Sequence, residues 1–218
     1  MKSFQNLMLL QNLYRLKASG AKYIDPITIN VRNDQSLPGD LGALHQMIAS
    51  CHLCDLSKSR TRAMTGWGAP KADLMIVDDY VSMAEDESGS HFAGRSGSSL
   101  KKMIENVLMI PHQSAYLTHA VKCKPSGTKT PSPSEWSSCK PYLFKQIELV
   151  APKVIVALGP DAYSLLTGDE TPFEQVRGQK IAFGNHTVVP IYHPQYLLRN
   201  PSLKQVTLHD LHTIKSCL

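Results

Sequence analysis

No stretch of this 218-residue chain reaches the ~18 unbroken apolar residues that a membrane-spanning helix needs, so a helical membrane protein is excluded. Met1 to Leu16 lacks a clean hydrophobic run followed by a small-residue cleavage site, because Gln5, Asn6, Gln11 and Asn12 interrupt it; it does not read as a signal peptide. The expectation is a cytoplasmic protein with no membrane partner. Cysteine is scarce, at five residues. In a reducing compartment these thiols are ligands or bystanders rather than disulfides. No internal repeat is present, and neither sign of charge dominates. Twenty-three Lys and Arg against 18 Asp and Glu leave a net charge of +5 and a pI near 8.9. That balance permits a nucleic-acid partner without demanding one. What remains, 42% apolar and 19% charged residues, is a soluble globular composition long enough for one domain with a substantial core.

Phe4, Leu7, Met8, Leu10 and Leu13 recur at helical spacing, with Gly20 as a stop, and Ile27, Ile29 and Val31 alternate before Pro38-Gly39. Residues 1–38 are therefore expected to form an N-terminal helix and arm, and 39–218 the main domain. A helix from about Asp40 leads into Cys51. Beyond it, the apolar runs 74–77, 115–121, 154–158 and 188–192 read as strands. Helical spacing occupies 98–108, 134–150 (with Ser134 as N-cap), the stretch from 159 to 166, and 201–217. Strands separated by helices predict an α/β fold with a parallel sheet covered on both faces, its ligand site beyond the carboxyl ends of the strands.

The cysteines carry the first chemical signal. Cys51 and Cys54 form a C-x-x-C pair; after 68 intervening residues comes Cys123, and after 15 more Cys139. Two close thiolates and two distant ones suit a four-sulfur centre, either zinc or an iron–sulfur cluster; the spacing alone allows both. Cys217, at the far end, is a bystander.

These cysteines sit in a wider pattern. From about residue 41 to 213 the order and spacing of Cys51-His52-Leu53-Cys54, Gly66-Trp67-Gly68, Glu85-Asp86-Glu87, Phe92-Ala93-Gly94-Arg95, Lys122-Cys123-Lys124-Pro125, Cys139-Lys140-Pro141 and Tyr192-His193-Pro194 resemble the family-4 uracil-DNA glycosylases. The resemblance implies a [4Fe–4S] cluster on Cys51, Cys54, Cys123 and Cys139, and a three-layer α/β/α fold around a central four-stranded parallel sheet. It also implies that Phe92 stacks on the base and that His193 hydrogen-bonds it and stabilises the leaving anion. Two departures stand out. The family's Gly-Glu-Ala-Pro-Gly motif is Asp78-Asp79-Tyr80-Val81-Ser82 here, which puts Asp79 at the glutamate position and Tyr80 where it can partly fill the pocket. The family's base-reading asparagine is His119, which is expected to contact the base edge although its two nitrogens cannot reproduce the paired donor and acceptor of an amide.

A DNA partner requires cations and small donors on accessible loops. Lys122, Lys124 and Lys129 beside Cys123, Arg95 with Ser96 ahead of a helix, and Arg199 after His193 are the candidates. The expected function is removal of uracil or a related deaminated base from DNA by a monomeric enzyme. The alternative is a catalytically degenerate DNA-binding relative.

Overall fold

The computed structural model describes residues 37–127 and 130–218. The expected N-terminal helix and arm lie outside these residues, apart from positions 37 and 38, as does Lys129. Within them, the strands follow the apolar runs. The order along the chain begins with α1 (Leu41–Ala49), β1 (Trp67–Gly68), β2 (Leu74–Tyr80), α2 (Met83–Ser88), α3 (Gly94–Lys102) and β3 (Tyr116–Val121). It continues with α4 (Pro133–Val150), β4 (Val154–Leu158), α5 (Gly159–Thr167), α6 (Phe173–Val176), β5 (Ile181–Phe183), β6 (His186–Ile191), α7 (Pro194–Arg199) and α8 (Lys204–Lys215).

The strands form one mixed sheet in the order β1-β3-β2-β4-β6-β5. The central four, β3, β2, β4 and β6, run parallel, as expected; β1 and β5 add short antiparallel edges that were not. The sheet thus has six strands rather than four. A two-residue strand and a three-residue strand are too short to show alternation, so their pairing comes from tertiary contact and not from local pattern.

Alternation in the central strands builds two cores. Met75, Val77 and Ile155 face Leu143 and Ile147 of α4 and Ala162 and Leu166 of α5. Leu74, Ile76 and Val156 face the other way, onto Leu100 of α3 and Leu211 and Ile214 of α8. Helices therefore flank both faces of the sheet. The helix starts depart slightly from expectation. α4 begins at Pro133 with Ser132, not Ser134, as its N-cap, because Glu135 completes a capping box with Ser132. α3 begins at Gly94 and passes through a π-helical turn over 103–108.

Candidate active site and cysteine cavity

β2 runs on to Tyr80, three residues past its apolar run, and carries Asp78 and Asp79 to the carboxyl edge of the sheet. In register with it on β3, Asp78 sits opposite His119. β6 ends at Ile191, and two residues later His193 caps the short helix α7. A cavity of about 400 Å3 opens at this edge, lined by Asp78, Tyr80, Glu85, His91, Arg95, Ser96, His193 and Arg199. Gly159, at φ +86°, lies beside it; a Cβ there would approach His193 Cβ to 3.3 Å, so the turn out of β4 has to be glycine.

His193 is held at both ring nitrogens. Nε2 meets Asp78 Oδ1 at 3.0 Å, and Nδ1 accepts from the Gln195 amide at 3.0 Å. The Gln195 amide keeps Nδ1 bare and puts the proton on Nε2. Burial lowers the basicity of the ring, but the Asp78 carboxylate more than compensates and draws its pKa up to about 9. A second proton on Nδ1 would displace the hydrogen bond from the Gln195 N–H, so the geometry shown is that of the neutral ring donating from Nε2. Asp79 is pushed up to about 7, first by burial and then by the charge of Asp78. It is a carboxyl group that exchanges its proton near neutrality.

Behind the cavity wall lies a second layer. His119 is 1% exposed and does not reach the main cavity; its Nε2 meets Glu85 Oε1 at 3.0 Å and its ring stacks on His91, 5.1 Å between centroids. His91 and Glu85, its two partners, line the cavity where His119 was expected to meet a base edge. The Phe92 ring, expected to stack on a base, packs edge-on against Trp67 at 5.4 Å and His112 at 5.2 Å and is not among the residues lining the cavity. The close approach of Gly97 to the Phe92 backbone, where a Cβ would lie 2.3 Å from the carbonyl carbon, sets this turn. His91 takes the wall position instead.

Arg95 and Arg199, both exposed, and half-buried Ser96 all line the cavity. The first turn of α3, which supplies Arg95 and Ser96, has no side-chain cap, so its amides are open to an anion. Lys124 is half-buried. Lys122 departs furthest from expectation: it is 1% exposed, and its ammonium bonds Thr118 Oγ1 at 2.7 Å, Gln146 Oε1 at 2.6 Å and the His119 carbonyl at 2.5 Å. It cannot reach a phosphate. Burial lowers its pKa to about 7 against the pull of Cys139 and Cys123.

Cys51, Cys54, Cys123 and Cys139 line one small cavity, with Arg60 and Tyr142 beside them. All are free thiols. Arg60 Nη1 donates to Cys123 Sγ at 3.0 Å, and the Lys122 amide to Cys139 Sγ at 3.5 Å. Among the described residues, the sets of three ligating atoms within 4.8 Å of one another are Glu85, His91 and His119, and Asp78, Asp79 and His193; neither contains a cysteine.

Asp78, Glu85 and His91 were not singled out as site residues from the sequence. Asp78 and His91 had a usable signal, since each replaces a small or rigid residue of the family motif with an ionisable one. Glu85 had only its place in a Ser82-x-x-Glu85 capping box, which points to a helix start and not to a site.

An α/β protein with a central parallel sheet and a polar cavity at its carboxyl edge is the class these features define. Residues 65–212 match the uracil DNA glycosylase superfamily, and the chain belongs to it. It is 32% identical over 183 residues to a type-4 uracil-DNA glycosylase of Sulfurisphaera tokodaii, covering 80% of this chain and 83% of that one. It is 35% identical to the Thermotoga maritima type-4 uracil-DNA glycosylase, over 78% and 91% of the two chains, and 34% identical to that of Pyrobaculum aerophilum, over 79% and 91%.

Proposed function

We propose that this chain is an iron–sulfur DNA glycosylase that hydrolyses the N-glycosidic bond of uracil or a related deaminated base. The observation that carries the reading is His193: a fixed imidazole with its proton on Nε2, at the wall of the cavity beside two carboxylates. Bond breaking leaves a cationic sugar and an anionic base, and groups already aimed at those charges lower the barrier most. In the free protein Asp78 accepts the Nε2–H; the departing base oxygen would compete for it as negative charge develops. Asp79, ionised above about pH 7, would face the sugar cation or take a proton from water. Arg95, Ser96, Arg199 and the open first turn of α3 form the rim that would meet phosphates.

The cysteine cavity fits a [4Fe–4S] cluster. A lone zinc, about 2.3 Å from each sulfur, needs those sulfurs mutually within roughly 4 Å. No three of them meet even the looser 4.8 Å spacing, which suits a larger inorganic centre. The cluster's contribution when bound is structural, tying residues 51–54 to 123 and 139. Arg60 and the Lys122 amide would hold the thiolates by hydrogen bonds.

One observation favours a second reading, a DNA-binding protein that no longer excises. Asp78 already occupies the His193 proton, and the amide that would read a base is a buried histidine. An assay on uracil-, hypoxanthine- and xanthine-containing oligonucleotides, single- and double-stranded, with alkaline cleavage of abasic sites, separates the two. Excision that falls about 100- to 1,000-fold in His193→Ala supports the glycosylase. Salt-dependent DNA binding without product at stoichiometric protein establishes the second reading.

A further inference from the structure

Beneath the cavity, Glu85, His91 and His119 each bring one ligating atom to within 4.8 Å of the others. They come from α2, from the loop ahead of α3 and from β3, and none is more than 8% exposed. Their bonds to one another do not exhaust them. Glu85 Oε2 accepts from the Ser82 amide at 2.9 Å and its hydroxyl at 2.7 Å, while Oε1 faces His119 Nε2. His119 Nδ1 is buried and, among the described residues, has no hydrogen-bond partner. Leaving such a nitrogen unpaired incurs its desolvation cost, and native interiors seldom keep one. The neighbouring set of Asp78, Asp79 and His193 differs in this respect, since both nitrogens of His193 are already engaged.

We propose that Glu85, His91 and His119 form a binding site for one divalent transition-metal ion of the zinc class. Two imidazoles and a carboxylate are a donor set such ions take, whereas magnesium and calcium favour oxygen ligands throughout. Ser82 fixes the carboxylate from behind, as outer hydrogen bonds do in metal sites. An ion held at His119 Nδ1 would supply the partner that nitrogen lacks. Three protein ligands leave a fourth position for water or a ligand atom. Glu85 and His91 both line the main cavity, which gives access to it.

The site stands independently of base excision, so its test uses no DNA. Protein as purified, with its iron content measured, is equilibrated with buffered zinc. Bound zinc is counted by mass spectrometry, and its ligands are read by zinc-edge X-ray absorption. The expected result is one zinc per chain with nitrogen and oxygen ligands at about 2.0–2.1 Å. His91→Ala should weaken binding at least tenfold. So should Glu85→Gln, which keeps the helix cap because glutamine also completes a capping box. Circular dichroism checks that both variants stay folded. Failure of the unaltered protein to take up stoichiometric zinc, zinc held by sulfur alone, or unchanged affinity in both variants overturns the assignment.

Discussion

Asp78 and Asp79 are adjacent in the chain but differ in electrostatic behaviour. Asp78 pairs with His193 and is drawn below the usual carboxylate range despite its burial, while the charge of Asp78 adds to burial in raising Asp79. The working form of Asp79 is the carboxylate and that of His193 the neutral ring, so excision should rise with pH through about 7 and go on rising towards about 9. A rate that stays flat from pH 5.5 to 8.5 would show that Asp79 is not the controlling group. The stability sign is the reverse. Between the ordinary value of 3.8 and about 7 the folded state holds more protons than the unfolded one, so this group's contribution to stability declines as pH rises across that window. Asp79→Asn should accordingly raise the melting temperature more at pH 8 than at pH 4. The sequence showed that position 79 was acidic and near the site. It could not show the raised pKa, which depends on burial and on a neighbour that the resemblance describes as glycine.

At the level of elements, the parallel strands and their covering helices were readable because long apolar runs and helical spacing agree with the tertiary arrangement. Misreadings arose where a side chain could leave either side of a turn. Phe92 and His91 are sequence neighbours at the entry to α3, and the turn gives the wall to the histidine and the aromatic cluster to the phenylalanine. Lys122 looked like the start of a basic loop, yet it follows β3 directly and folds back under Gln146 of α4. Turns also set the catalytic geometry. Gly159→Ala would place a Cβ against His193 in a backbone conformation that costs an alanine about 1–2 kcal/mol. The expected outcome is a 10- to 100-fold loss of excision with the chain still folded, measured by the oligonucleotide assay beside a thermal melt. An unchanged rate would mean that His193 is not held by this packing.

Across the whole molecule, the proposed cluster on the four cysteines would fasten the segment after α1 to the end of β3 and to α4. Cross-linking a loop of roughly a hundred residues is worth about 4 kcal/mol. For a chain of this size each kcal/mol moves the melting temperature by about 2–4 °C. Removing the cluster with a chelator and oxidant should therefore lower the melting temperature by about 10 °C, along with loss of iron and of visible absorbance. Equal melting temperatures before and after removal would separate the cysteines from stability. No described helix is long and apolar enough to cross a membrane.

Glu85 divides its two oxygens between the beginning of a helix and the ring of His119. That shared duty constrains how the pocket can evolve. An amide at position 119, as in the family pattern that shares the Glu85 segment, still offers an N–H to the acid, whereas neutralising Glu85 would leave the buried histidine without its charged partner. The order of replacement is therefore one-sided: position 119 can vary while the acid stays, but a histidine at 119 should not outlive the loss of Glu85.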